Sequence, residues 1–323
     1  MNFNHLSPVI LEYLNSKGID NQATIELAGT AGSNRFYYRI QNKSVTYILL
    51  QSPKEDKDFA RFLRLTQFYR LLQFPVPRVY CIDDEALQVL LEDLGTHRLY
   101  DLVIHSQEKR KTYYLQTIQT LIDMQTKCFQ QHQESPDILS RIFDQKQLLW
   151  ETHYFKQEYL EGHCHLQFTE KENHQLESSF LELAKEVDLQ PKTIMHRDFQ
   201  SQNIMIQNER VRVIDYQGSR LGSHYYDLAS LLFDPYCMLS EELIEELFQY
   251  YHSKTASPLS LDKARHQFYL AGSQRIMQAM GAYAFLSHKK NLASFKQYIK
   301  PGLQRLRFVL EKAELNAILS VLQ

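Results

Sequence analysis

The pattern of apolar and polar positions changes near Asp93. Before it, short apolar runs bounded by turn residues predict strands at Thr24 to Leu27, Phe36 to Ile40, Val45 to Gln51, Arg78 to Ile82 and Ala86 to Leu91. Two helices accompany them. Leu6 to Lys17 is a short one closed by Gly18, and Lys54 to Gln73 places Phe59, Phe62, Leu63, Tyr69 and Leu72 at helical spacing. The second has Glu55, Asp56 and Asp58 in its first turn and Arg64 and Arg70 further on, which suits the helix dipole, and Pro75 and Pro77 end it. The expectation is a five-stranded sheet with one main helix.

From Tyr100 onward apolar residues recur at three- and four-residue intervals. They predict helices over Lys109 to Phe129, Asp144 to Leu160, Glu170 to Val187, Glu241 to Tyr251, Leu261 to Ser287 and Phe295 to Leu319. Pro191 precedes a strand-like Thr193 to Met195, and Val211, Val213 and Ile214 read as another short strand.

These two short strands flank the chain's densest chemistry. His196, Arg197 and Asp198 are followed by Asn203, five positions after the Asp, and then by Asp215 within Asp-Tyr-Gln-Gly. In kinase-type sites the first Asp accepts the proton of the attacking hydroxyl, while the Asn and the second Asp hold magnesium ions that bridge the nucleotide phosphates. Asp198 and Asn203 fit on one tight loop, and the strand through Val213 is expected to return Asp215 beside it. Singly, each residue would suit a turn or a strand end. In this order and context they point to phosphoryl transfer. Earlier, Gly29-Thr-Ala-Gly-Ser33 offers small residues that let backbone N–H groups approach phosphates, although a plain hairpin turn would use the same glycines.

Composition sets the surroundings. The 323 residues exceed one typical core, so one large or two linked domains are expected. With 44% hydrophobic and 23% charged residues and no apolar run of bilayer-crossing length, a soluble globular protein without a membrane partner is expected. The first residues lack a secretory pattern, and four scattered cysteines suit a reducing cytoplasm. The formal charge of -2 conceals a basic end, with ten Lys and Arg against three acids from Leu261 to Gln323. Solvated helix faces or an anion-binding surface would both explain it, and no nucleic-acid module accompanies it. His163-Cys164-His165 offers zinc-type ligands with nothing nearby to complete a tetrahedral set, so a surface turn after Gly162 is expected.

The stretch His196 to Asn203 with Asp215-Tyr-Gln-Gly resembles the aminoglycoside phosphotransferase superfamily, which includes choline and homoserine kinases. Three further segments, Ala28 to Arg39, Leu90 to Thr96 and Gly272 to Gly281, resemble the bacterial anomeric kinases of N-acetylmuramate and N-acetylglucosamine. The resemblance implies an α+β, two-lobed protein-kinase-like fold. Residues 1–93 would form a small antiparallel-sheet, nucleotide-binding N-lobe, and residues 94–323 a larger, mostly helical C-lobe. It also implies ATP and Mg2+ as cofactors, and a small-molecule hydroxyl as acceptor, with the anomeric position of an amino sugar favoured.

Carried onto this chain, the resemblance makes Asp198 the catalytic base and Asn203 and Asp215 the metal ligands. Gly29, Gly32, Ser33 and Asn34 become candidates for the phosphates, Glu92 and Leu94 for the hinge against adenine, and Asp227 for a brace behind the catalytic loop. Gln200, Gln217, Tyr225 and Arg275 are the candidate substrate contacts. One departure stands out: kinases place a Lys on the third strand, and Tyr47-Ile-Leu-Leu-Gln51 has none. Arg39 or Lys54 would replace it, Arg39 being preferred for its two-pronged fork. The missing Lys also admits a nucleotide-binding pseudokinase, against which stand the surviving base and metal ligands. An aminoglycoside would want an acidic pocket, choline an aromatic and acidic one, and a muramate-type sugar a cation. Arg275 and the basic chain end favour a neutral or anionic amino sugar.

Overall fold

The apolar runs before Asp93 become strands in the expected order. The computed structural model describes residues 3–30, 35–42, 45–255 and 257–322. It places α1 at Pro8–Ser16, β1 at Thr24–Thr30, β2 at Phe36–Asn42, β3 at Val45–Gln51, α2 at Phe59–Leu71, β4 at Val79–Asp83 and β5 at Gln88–Glu92. The strands form one antiparallel sheet in the order β1-β2-β3-β5-β4. On one face Ile40, Tyr47, Leu49 and Leu90 pack against Ile10 and Leu14 of α1, whose start is set by the Ser7 hydroxyl and by Pro8. Strand alternation turns Tyr37 and Arg39 to the other face.

The helix α2 begins later than its acids suggest. Asp56 accepts from Arg35 Nε at 2.7 Å, from the Ser52 hydroxyl and from the Asp58 N–H at 2.9 Å. These bonds hold Glu55 and Asp56 in a turn ahead of the helix, and no acid lies in its first turn. The expected match of acids to its dipole is therefore replaced by an ion pair to the sheet.

After β5 come α3 (Leu99–His105), α4 (Gln107–Asp123), α5 (Pro136–Leu139), α6 (Gln145–Phe155), α7 (Glu170–Asp188), β6 (Lys192–Met195), β7 (Ile204–Gln207), β8 (Arg210–Val213) and β9 (Arg220–Ser223). The chain ends with α8 (Tyr226–Leu232), α9 (Glu241–Lys254), α10 (Leu261–His288), α11 (Ile299–Lys312) and α12 (Asn316–Ser320). Two compact units result. One is Met1–His97 with Met205–Gln217, and the other is Arg98–Ile204 with Gly218–Gln323. Arg212 shows why the β7–β8 segment joins the first. Its guanidinium reaches both Glu92 oxygens at 2.9 and 2.6 Å and the Pro75 and Val76 carbonyls, while Val213 N–H donates to Pro75 O at 2.9 Å.

The second unit is built around α10, which is buried along most of its length. A Cβ on Gly281 would stand 3.2 Å from the Phe155 backbone, so this glycine lets α10 approach α6 closely. Strand β9, absent from the sequence reading, pairs antiparallel with β6. Two expected helices continue as π-helical turns, Met124–Cys128 and Lys156–His163. The single helix expected over Phe295 to Leu319 is interrupted, because Glu314 adopts a left-handed φ of 59° between α11 and α12. Among the basic residues of the chain end, Lys263, Lys290, Lys296, Lys300 and Arg307 lie on exposed faces, whereas Arg275 and Arg305 are buried. Among the described residues no helix is long and apolar enough to cross a membrane.

Candidate active site

In the second unit, β6 delivers the chain into a sharp turn. His196 is fully buried and Arg197 takes a φ of 82°, a strained conformation for a residue with a side chain. Asp227, in the first turn of α8, holds that turn by accepting the N–H groups of both His196 and Arg197, the latter at 2.9 Å. Burial pushes the Asp227 carboxyl up to about 6, against the pull of His196 and the two N–H groups. Asp234 repeats the device. Its two oxygens accept the Ser201 and Tyr236 N–H groups, each at 2.9 Å. Within the loop, the Asp198 carbonyl accepts the Gln200 N–H and the Asn203 side-chain amide, both at 2.9 Å. The Asp198 side chain, 35% exposed, stays accessible.

Beside it stands Arg275. Its Nε donates to Ser230 at 3.0 Å, one terminal nitrogen to Gln278, and the other to Gln200 at 3.2 Å. That last nitrogen is 3.7 Å from Asp198 Oδ1. Burial opposes the charge, yet Tyr226, Asp198 and Glu151 around it hold the Arg275 pKa above its ordinary value. Glu151 is itself fully buried. It accepts the Tyr226 hydroxyl at 2.8 Å and lies 3.7 Å from Arg197, and burial pushes its carboxyl up against the pull of Arg197. A chain of buried charges thus backs the accessible Asp198 carboxylate.

In the first unit, Asp215 has a φ of 63°, which an Asp tolerates better than most residues, and its Oδ1 accepts Gln217 Nε2 at 2.6 Å. Tyr216 fixes the segment from below, with its hydroxyl 2.7 Å from Thr66 and its ring stacked on Phe62. Gly218 belongs to the second unit. A Cβ there would stand 3.3 Å from the His196 carbonyl, a close approach that accounts for the Gly of Asp-Tyr-Gln-Gly.

The remaining sequence candidates are distributed as follows. Asp198, Gln200, Asn203 and Arg275 come together in the second unit, and Gln217 orients Asp215 in the first. Gly29 pairs with Tyr37 across β1 and β2, while Gly32, Ser33 and Asn34 lie outside the described residues. The Arg39 fork is closed by Asp93, at 2.7 and 3.0 Å, and by the Gly95 carbonyl at 2.9 Å. Lys54 is exposed. Glu92 has its carboxylate on Arg212 and on the Arg78 N–H, and its own N–H on the Arg78 carbonyl. Tyr225 is buried among His224, Phe248, Tyr251 and Phe268 in the second unit's core. Its neighbour Tyr226 is the one that reaches the charge network. His163 Nδ1 meets His288 Nε2 at 2.7 Å, and among the described residues no cluster of three or more His, Cys, Asp or Glu could hold a metal.

Residues 24–268 match the phosphotransferase enzyme family. The chain belongs to that family. The phosphotransferase is 24% identical over 303 residues to the N-acetylmuramate/N-acetylglucosamine kinase of Neisseria meningitidis serogroup B, covering 91% of this chain and 88% of the relative. It is 22% identical to the protein of the same name from Pseudomonas putida, covering 93% and 88%. In fold it is similar to the choline kinase LicA from Streptococcus pneumoniae, with a TM-score of 0.62 at 16% identity over 95% of this chain and 98% of that one. An ADP-bound aminoglycoside phosphotransferase, APH(2'')-Ib, has a TM-score of 0.60 at 14% identity, over 93% and 98%. The two-unit α+β architecture is therefore that of the family, and the reaction class is phosphoryl transfer to a hydroxyl acceptor.

Several working parts of the phosphotransferase escaped the sequence reading. Glu151 stands three residues after Leu148 and four before Phe155, both buried, so it is an acid on the apolar stripe of α6. Asp234 ends the buried run Tyr226 to Phe233. A lone acid on an apolar face is a legible signal, because burying a carboxylate without a partner is costly.

Proposed function

We propose that this phosphotransferase is an ATP- and magnesium-dependent kinase of the anomeric hydroxyl of N-acetylmuramate or N-acetylglucosamine, working in the cytoplasm. The observation that carries the substrate half of this reading is Arg275, a buried guanidinium 3.7 Å from Asp198. A fixed positive charge beside the base repels a polycationic aminoglycoside or a quaternary ammonium and suits a neutral or carboxylate-bearing sugar. The names of the relatives at 22–24% identity agree with that choice. Asp198 would take the proton of the attacking hydroxyl, with Asp227 and Asp234 keeping its loop in place.

Residues 1–93 would bind the nucleotide and residues 94–323 the sugar, and the ADP-bound fold neighbour supports nucleotide use. Leu94 is the hinge residue whose backbone forms no hydrogen bond among the described residues, so it is the better placed of Glu92 and Leu94 for an adenine edge. For the metal, Asn203 donates its amide N–H to the Asp198 carbonyl, which leaves its side-chain oxygen as a donor, and Asp215 has Oδ2 beyond the Gln217 contact. All-oxygen donors of this kind fit magnesium, which when bound would offset the charge of the phosphates. An ADP-formation assay with ATP and magnesium tests the reading. Turnover is expected with the two N-acetyl sugars and not with kanamycin or choline, and Arg275→Ala should harm the acidic sugar more than the neutral one. Efficient phosphorylation of an aminoglycoside with neither sugar accepted would overturn it.

A further inference from the structure

We propose that Arg35, anchored by Asp56, is the cation that receives the nucleotide's phosphates, in the role a lysine on β3 would otherwise fill. The inference rests on the nucleotide reading above. On the sheet face that carries Tyr37 and Arg39, β3 presents Leu50 and Ile48 opposite them and no charge. Arg35 comes immediately before β2 and is 1% exposed. One edge of its guanidinium is fixed, with Nε 2.7 Å from Asp56 Oδ2 and the plane over the Phe62 ring at 5.4 Å. Asp56 is fixed in turn by Ser52 and by the Asp58 N–H.

The outer edge is left without a well-formed hydrogen bond. Neither Nη1 nor Nη2 makes a hydrogen bond of good geometry among the described residues, although both are buried and the Tyr37 hydroxyl lies beside the guanidinium. Buried donors nearly always find acceptors, and a pre-aligned guanidinium edge matches a pair of phosphate oxygens. Tyr37 lies within electrostatic reach of both Arg35 and Asp215, and Tyr216, next to Asp215, feels the Arg35 charge. This outer edge and the candidate metal ligand thus share one electrostatic neighbourhood within the first unit. Arg39 offers no such pair of nitrogens, because its Nε and Nη2 are taken by Asp93 and its Nη2 also by the Gly95 carbonyl.

Calorimetric titration in magnesium, comparing ATP with adenosine, tests the assignment. Wild-type protein should bind ATP more tightly than adenosine. Arg35→Ala should weaken ATP binding by about ten- to a hundred-fold and leave adenosine binding unchanged. Arg35→Lys, which keeps the charge without the fork, should fall between. Unchanged ATP affinity in both variants overturns the proposal. Loss of the fold in both, read by circular dichroism, would make Arg35 a structural ion pair and overturns it equally. Equal affinity of the wild type for ATP and adenosine would instead remove the nucleotide reading itself.

Discussion

Three half-buried carboxylates of the first unit and three fully buried ones of the second are treated in opposite ways. In the first, Asp56, Glu92 and Asp93 each meet an arginine directly, through Arg35, Arg212 and Arg39. Burial works against their ionisation, but the arginine hydrogen bonds and nearby N–H groups outweigh it, and all three are held below the usual carboxylate range. In the second, Glu151, Asp227 and Asp234 are fully buried, and burial prevails despite the hydrogen bonds they accept, so all three are pushed up. The first set clamps the sheet to its neighbours. In the second set Asp227 and Asp234 give up stability to hold backbone N–H groups of the strained loop that carries Asp198, while Glu151 takes the Tyr226 hydroxyl and faces Arg197.

The sharpest way to break this contrast is at Asp198, the proposed base. Asp198→Asn should lower turnover by about 10² to 10⁴-fold while ATP affinity, measured separately, stays near that of the wild type. Retention of wild-type turnover would remove Asp198 from the chemistry. Next comes the brace. Asp227→Ala strands the N–H groups of His196 and Arg197, at about 1–3 kcal/mol for each, and should reduce turnover because the loop loses its turn. Urea unfolding reads the stability loss, and an undiminished midpoint would show that the loop holds itself.

The smallest effect is the pH dependence, and its sign differs between the units. A carboxyl held low contributes stability above its unfolded pKa and loses it as pH falls through the folded one, so Asp56, Glu92 and Asp93 should weaken the first unit in acid. Asp227 runs the other way. Its contribution is complete below 3.8 and is lost as pH rises through about 6. Hydrogen exchange followed from pH 7 down to pH 2 should therefore show amides of β2, β3 and β5 losing protection, below the ordinary carboxylate pKa, before those of β6 and β9. The reverse order would break the comparison.

What was legible in the sequence is what depends on neighbours along the chain. Strands β1 to β5 and the tight loop from Asp198 to Asn203 are local patterns, and they appear where expected. The start of α2 was not legible, because Asp56 is drawn to Arg35, 21 positions away. Nor was the difference between Arg35 and Arg39, two arginines four positions apart, one just before β2 and one within it. It follows from Asp93, 54 positions from Arg39, closing one fork while the outer edge of the other has no well-formed hydrogen bond among the described residues. Tyr225 and Tyr226 likewise look equivalent in sequence, and helix rotation alone sends one into the aromatic core and the other to Glu151, 75 positions away. Candidates at Gly32, Ser33 and Asn34 remain expectations, outside the described residues.

The central claim is that an Asp198-centred site transfers phosphate to the anomeric oxygen of an N-acetyl amino sugar. Phosphorus-31 NMR of the protein with ATP, magnesium and N-acetylmuramate reads the product directly. A sugar 1-phosphate resonance growing as ATP is consumed, and absent over the same interval with Asp198→Asn, is the expected result. Only inorganic phosphate, or a phosphorylated product from kanamycin with none from either N-acetyl sugar, would contradict the claim.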